Sequence, residues 1–187
     1  MNLSRALAVA SLLVGVGALT ACPGMNQTHG VEVPAKGTPI TQEIYAKLLP
    51  APKLGQKWVY LETITVPDEE AQRSDLTLEI TAIDGDVLTT TQTRLREGQA
   101  SPSVDTATSS ISQPLEMQEG LSVTSGGAEN VTVPHKAYSG AAKLIATVDG
   151  ETAYTVWLVP GVGLVKLDSG ASESGRYTME LKDFKQP

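Results

Sequence analysis

The chain has 187 residues, with 14 basic and 21 acidic side chains, a formal net charge of −7, and two Trp, five Tyr and one Phe as its only aromatics. An acidic, aromatic-poor chain lacks the basic surface that nucleic acid requires, and it does not adhere to anionic lipid headgroups by charge; the negative balance reads as solubility. One cysteine, Cys22, rules out an intrachain disulfide and a cysteine-based zinc site.

The first element is the apolar run Ala6–Ala21, "ALAVASLLVGVGALTA", behind a short amino-terminal region with one positive charge, Arg5. As a helix these 16 residues would rise about 24 Å, short of the ~30 Å hydrocarbon core, and Gly15 and Gly17 weaken the helix toward its end. The pattern predicts an export signal over residues 1–21 rather than a membrane span. Leu19-Thr20-Ala21-Cys22 resembles the bacterial lipobox, and the segment is similar to a lipoprotein signal peptide. That resemblance implies a diacylglycerol (and a further N-acyl chain, palmitate among the usual acyl groups) on Cys22, with cleavage leaving Cys22 as the first mature residue. The chemistry calls for cysteine because a thiolate is the nucleophile that takes up the lipid as a thioether. Two or more acyl chains hold a protein on a membrane where one binds reversibly. Pro23 stands where an aspartate would signal inner-membrane retention, which leans the expectation toward an outer membrane if the cell has two. Cleavage would remove Arg5 and no acid, leaving 13 basic and 21 acidic residues and a formal charge of −8.

Residues 22–39 are expected to be the lipidated cysteine and a flexible tether, since "PGMNQTHGVEVPAKGTP" is rich in Pro and Gly and has no period. Such a tether reaches about 20–25 Å. Residues 40–187 are expected to form a single β-rich domain of adequate size for one core. Thr41–Leu49 reads as a short helix capped by Thr41 and stopped by Pro50 and Pro52. The apolar period then changes to two. Trp58, Tyr60, Ile64 and Val66 share one face of a strand, and Leu76, Leu78, Ile80 and Ala82 one face of the next. Asp84-Gly85-Asp86 turns the chain into Val87–Arg96 as a hairpin.

The Ser/Thr/Gly-rich middle, residues 100–130, predicts one or two edge strands and a mobile loop near Gly126-Gly127, with a low-complexity insertion as the alternative. Beyond it the alternation is regular. Ala142, Leu144, Ala146 and Val148 precede the Asp149-Gly150 turn; Tyr154, Val156 and Leu158 alternate with Thr155, Trp157 and Val159; Tyr177, Met179 and Leu181 mark the last strand. Strands at roughly ten-residue spacing predict an all-β antiparallel meander of about eight or nine strands, a curved sheet that forms a half-barrel or a barrel.

"GQKWVY" (55–60), "VTVPHKAY" (131–138) and "TVWLVPGVGLVKLDSG" (155–170) together resemble a recurrent, largely uncharacterised domain of bacterial envelope lipoproteins. The matching positions are Gly55, Trp58, Tyr60, Val131, Val133, Pro134, Tyr138, Trp157, Pro160, Gly161, Val162, Gly163, Leu164, Val165, Lys166, Glu180 and Leu181; His135 and Lys136 depart from the Ala-Gly usual there. The resemblance implies an all-β sheet and an envelope setting, and brings no chemistry with it.

Catalytic and metal readings find little support. His135 is the one histidine of the β-rich region, with Asp149 or Glu129 as candidate orienting groups, and a solvated or capping role is the simpler reading. "GASESG" (170–175) has Ser174 where a nucleophile elbow needs glycine. Asp84/Asp86 and Asp149/Glu151 lack the ladder and distal glutamate of a calcium loop. No metal and no cofactor beyond the covalent lipid are expected. Trp58, Tyr60, Tyr154 and Trp157 are candidates for core or for a ligand-lining platform, with core favoured. The expected function is a lipid-anchored, non-enzymatic envelope module that binds a partner protein or contributes to envelope assembly. The alternative is a carrier whose β-lined interior encloses a lipid or other apolar ligand.

Overall fold

The computed structural model describes residues 31–115 and 120–187, so Cys22 and the 1–21 signal lie outside the described residues. In chain order the elements are α1 (Gln42–Leu48), β1 (Lys57–Thr65), β2 (Gln72–Asp84), β3 (Val87–Arg96), β4 (Ser103–Ser110), β5 (Leu121–Thr132), β6 (Ala137–Val148), β7 (Glu151–Val159), β8 (Gly163–Asp168) and β9 (Arg176–Lys185). The strands make one antiparallel sheet in the order β4-β3-β2-β1-β9-β8-β7-β6-β5. The chain meanders outward from β1 to β4, crosses to the far end at β5, and meanders back until β9 pairs with β1. The expected nine-stranded curved meander is realised. The barrel alternative is not: β4 and β5 end the sheet and do not pair with each other.

Hairpin turns follow from local chemistry. Asp149 and Gly150, at φ 53° and 84°, take the paired positive-φ geometry of a type I′ turn, which an Asp-Gly pair adopts readily and whose twist matches that of the strands. Gly163, at φ 91°, sits where an added Cβ would lie 3.1 Å from the Pro50 ring, so the segment after α1 can pack closely on the start of β8. The helix begins at Thr41, whose hydroxyl accepts from the Ile44 amide at 3.3 Å, and it ends at Leu49, extended ahead of Pro50.

Period-two alternation buries one sheet face. Trp58, Tyr60, Leu76, Leu78, Ile80, Leu144, Val156, Leu158, Leu167, Met179 and Leu181 point into one continuous core, which Tyr45 and Leu48 of α1 and Ile111 and Leu115 of the β4–β5 crossover complete. Burying a residue such as Leu48 contributes roughly 1.5–3 kcal/mol. Gln42 clips the crossover to the helix: its Oε1 accepts from the Leu115 amide at 2.9 Å and its Nε2 donates to the Leu115 carbonyl.

The middle segment departs from expectation at one point. It does supply the two edge strands, β4 and β5, but Gly126 and Gly127 lie inside β5 rather than in a mobile loop. The strand bulges between Ser125 and Gly127. A Cβ on Gly126 would stand 2.8 Å from the Lys143 side chain, and Gly127 has φ 86°, so the glycines serve a bulge and a close strand contact.

The two edges differ. Along β5 the chain's own residues 34–40 lie as a partial tenth strand: Gly37 donates to the Ser125 carbonyl at 2.7 Å, Ser125 to the Thr38 carbonyl at 2.8 Å, and Ile40 to the Val123 carbonyl at 2.9 Å. The Ser125 hydroxyl adds a bond to the Pro34 carbonyl at 2.7 Å. The outer edge of β4 has no neighbouring strand among the described residues.

Candidate functional site

The four aromatic candidates occupy both faces of the sheet. Trp58 and Tyr60 on β1 and Tyr154 on β7 share the covered face, while Trp157, one residue out of phase on β7, lies on the outer face. Trp58 Nε1 donates to the Val162 carbonyl at 2.7 Å, and its ring sits 5.7 Å from that of Phe184. The Tyr60 hydroxyl donates to the Leu164 carbonyl at 3.0 Å. The β1 aromatics thus fasten the covered face to the β7–β8 turn, through Trp58, and to the start of β8, through Tyr60.

Tyr45 of α1 stands over this region, fully buried, and its hydroxyl has no hydrogen-bond partner among the described residues. Burial drives the ionisation of Tyr45 and Tyr60 well above the ordinary phenol value, with the neighbouring tyrosines Tyr154 beside Tyr45, and Tyr45 and Tyr138 beside Tyr60, as lesser contributors. These rings are neutral, space-filling groups at any physiological pH.

Sequence reasoning passed over the most elaborate polar cluster. Glu62 lies between Tyr60 and Ile64 on β1, at a position the alternation assigns to the covered face, and it is 2% exposed. Arg94 of β3 grips its carboxylate with two bonds, Nε to Oε2 at 2.7 Å and Nη2 to Oε1 at 3.1 Å. Ser74 of β2 donates to Oε2 at 2.9 Å and Tyr177 of β9 to Oε1 at 2.7 Å. The Glu62 hydrogen bond is the main cause holding the Arg94 guanidinium in its charged form, and burial drives Tyr177 ionisation upward. Both carboxylate oxygens are engaged by donors from three strands, so the group is committed to joining β3, β2, β1 and β9 rather than to proton transfer. The available signal was an acid at an inward position of a strand, visible in "WVYLETIT" once the alternation is applied without skipping residue 62.

On the outer face Trp157 packs between Lys143 and Lys166, whose ammonium groups lie 5.4 and 5.8 Å from its ring. Its indole donates to Glu129 at 3.2 Å. Lys143 pairs with Glu129 at 2.9 Å and Lys166 with Glu180 at 2.8 Å. The Lys143 hydrogen bond holds the Glu129 carboxyl below its ordinary range. Both cations are balanced within the sheet, which leaves this cluster as an ornament of β5–β9 packing and gives no open anion site.

His135 meets neither of the groups considered as its orienting partners. Its Nδ1 lies 2.6 Å from the Tyr138 hydroxyl, and its amide donates to the Leu181 carbonyl at 2.9 Å, so the β5–β6 turn folds onto β9. Glu129 is occupied by Lys143 and Trp157, and Asp149 forms the β6–β7 turn. Ser172 bonds within the 170–175 loop, to the Gly175 carbonyl at 2.8 Å. Among the described residues there is no group of three or more His, Cys, Asp and Glu that could hold a metal, and no helix long and apolar enough to cross a membrane.

No protein-family model matches the chain, and no curated protein matches it. Among solved structures, a protein of Bacteroides fragilis described as exported and of YmcC-like fold aligns at 11% identity and a TM-score of 0.42, over 72% of this chain and 97% of its own. A protein of Parabacteroides distasonis described as a lipoprotein aligns at 11% identity and a TM-score of 0.44, over 74% of this chain and 98% of its own.

Proposed function

We propose that the chain is a lipid-anchored, non-enzymatic protein of the bacterial cell envelope, whose β-domain serves as a binding or assembly module on a membrane face outside the cytoplasm. The anchor rests on the Leu19-Thr20-Ala21-Cys22 pattern at the end of an apolar run too short to span. The module reading rests on one structural observation: the covered face is filled by the protein's own side chains. Tyr45, Tyr60, Leu144, Leu158, Met179 and Leu181 are all below 3% exposed. Polar groups near them are largely spent on each other, as with Glu62, Arg94, Ser74 and Tyr177.

The carrier reading has one feature in its favour, the unpartnered Tyr45 hydroxyl in the interior, which the head of an otherwise apolar ligand could meet. It stands second because the surrounding volume is occupied by side chains.

The anchor is tested by metabolic labelling with a fatty acid. The parent chain should incorporate label and run at the processed size, and Cys22→Ser should accumulate as unlabelled precursor, since a hydroxyl does not replace the thiol. A Cys22→Ser chain cut at the same bond and retained on the membrane would remove the anchor from the account.

A further inference from the structure

Residues 31–40 belong to the domain. Val31 and Val33 pack against the core, Ile40 is buried, and the Ser125 hydroxyl holds the Pro34 carbonyl. Of the segment expected to be a tether, only residues 22–30 separate Cys22 from the domain, and nine residues span at most about 30 Å. A lipid on Cys22 therefore keeps the domain close to the membrane.

The sheet has two unlike ends to offer that surface. The β2–β3, β5–β6 and β7–β8 turns and the loop 53–56 share one end; the β1–β2, β3–β4, β6–β7 and β8–β9 connections share the other. The second end is acidic, with Asp68, Glu69, Glu70, Glu97, Asp149 and Glu151 exposed there against Arg73 and Arg96. At the first end, exposed Lys53, Lys136 and Lys185 offset Asp84, Asp86 and Asp183. Leu54, 62% exposed, lies at this end with exposed Ile83 and Val87. The other two large apolar side chains that are exposed, Leu95 and Val104, stand on the outer face nearer the acidic end.

We infer that the domain meets the lipid surface with the end that carries Leu54, Ile83 and Val87, and points its acidic end away. This orientation rests on the lipid-anchor reading. Charge sets the direction rather than the affinity: anionic headgroups repel the acidic end within a Debye length, and the balanced end escapes that repulsion. The anchor supplies the affinity, and the apolar side chains of the near end enter the headgroup boundary. A strand of nine residues such as β1 sets the two ends about 30 Å apart, so an upright sheet touches with one end alone. A net charge of −7 is compatible with this contact because the excess of acid sits at the far end.

The test uses the full-length lipidated chain in vesicles of phosphatidylethanolamine and phosphatidylglycerol that contain a nitroxide-labelled lipid. Cys22 is blocked as a thioether, so one added cysteine takes a thiol-reactive fluorophore. Leu54→Cys and Val87→Cys place it at the near end, and Ala71→Cys and Thr152→Cys at the acidic end, all at exposed positions. The nitroxide should quench positions 54 and 87 at least about two-fold more than positions 71 and 152, since interfacial side chains enter the headgroup boundary by about 5–10 Å. Equal quenching at the two ends, or stronger quenching at 71 and 152, overturns the orientation and leaves the anchor in place. Flotation reads the anchor separately: a parent chain that takes the fluorophore on Cys22 and does not float with the vesicles breaks the anchor reading, and this inference with it.

Discussion

The interior beneath α1 and the outer edge of β4 are made from the same sheet and could hardly differ more. Inside, Tyr45, Tyr60 and Tyr177 are buried, and Glu62 is held by Arg94, Ser74 and Tyr177. Along β4 no residue is buried, and no strand neighbours its outer edge among the described residues. The covered face has nearly exhausted its capacity for new bonds. Stability therefore lives in the first region, so substitutions should be costly inside and cheap at the edge.

The largest expected effect is alkaline unfolding. Burial raises the ionisation of Tyr45, Tyr60 and Tyr177 well above the ordinary value near 10. In the unfolded chain these phenols lose their protons near pH 10, and in the folded chain they keep them. The stabilisation is complete below that value and falls as pH rises, by about 1.4 kcal/mol per pH unit per group and ~4 kcal/mol for the three. A domain of ordinary stability should unfold cooperatively by about pH 12, with tyrosinate absorbance and loss of β circular dichroism appearing together. Tyrosinate absorbance rising fully while the sheet persists would show that the interior is open to water.

Glu62→Ala should cost about 4 kcal/mol in urea denaturation, because it leaves the Arg94 charge and the Tyr177 hydroxyl unpartnered in a covered site. Leu144→Ala, at a fully buried position of β6, should cost about 3 kcal/mol by creating a cavity. Thr41→Ala removes the cap of α1 and should cost about 1 kcal/mol. At the edge, Val104→Thr should change stability by less than about 0.5 kcal/mol. A cost at Val104 as large as that at Leu144 would erase the contrast between the two regions.

Much of the architecture was legible because period-two burial is a local signal. The strands of the carboxy-terminal third and the turns at Gly85, Gly150 and Gly161 follow directly from alternation and from glycine's tolerance of positive φ. Gly126 and Gly127 misled because the reason for them is a neighbour on β6, Lys143, and cross-strand crowding is invisible in one strand's sequence. Sheet closure was illegible for a similar reason, since the choice between barrel and open sheet depends on whether β4 and β5 meet. Among the aromatic candidates, the alternation correctly separated Tyr154 from Trp157. Glu62 was passed over, because a lone acid in a strand gives no hint of the arginine 32 positions later or the tyrosine 115 positions later that make its burial tolerable.

Native mass spectrometry of the mature protein, released gently from membranes, tests most directly whether the interior is filled by the chain itself. A filled interior predicts the mass of the lipidated chain with no further bound molecule, and an unchanged Trp58 and Trp157 emission on titration with fatty acid or phospholipid. One apolar ligand retained per chain, with emission that shifts and saturates at about one equivalent, would contradict it and make the domain a carrier.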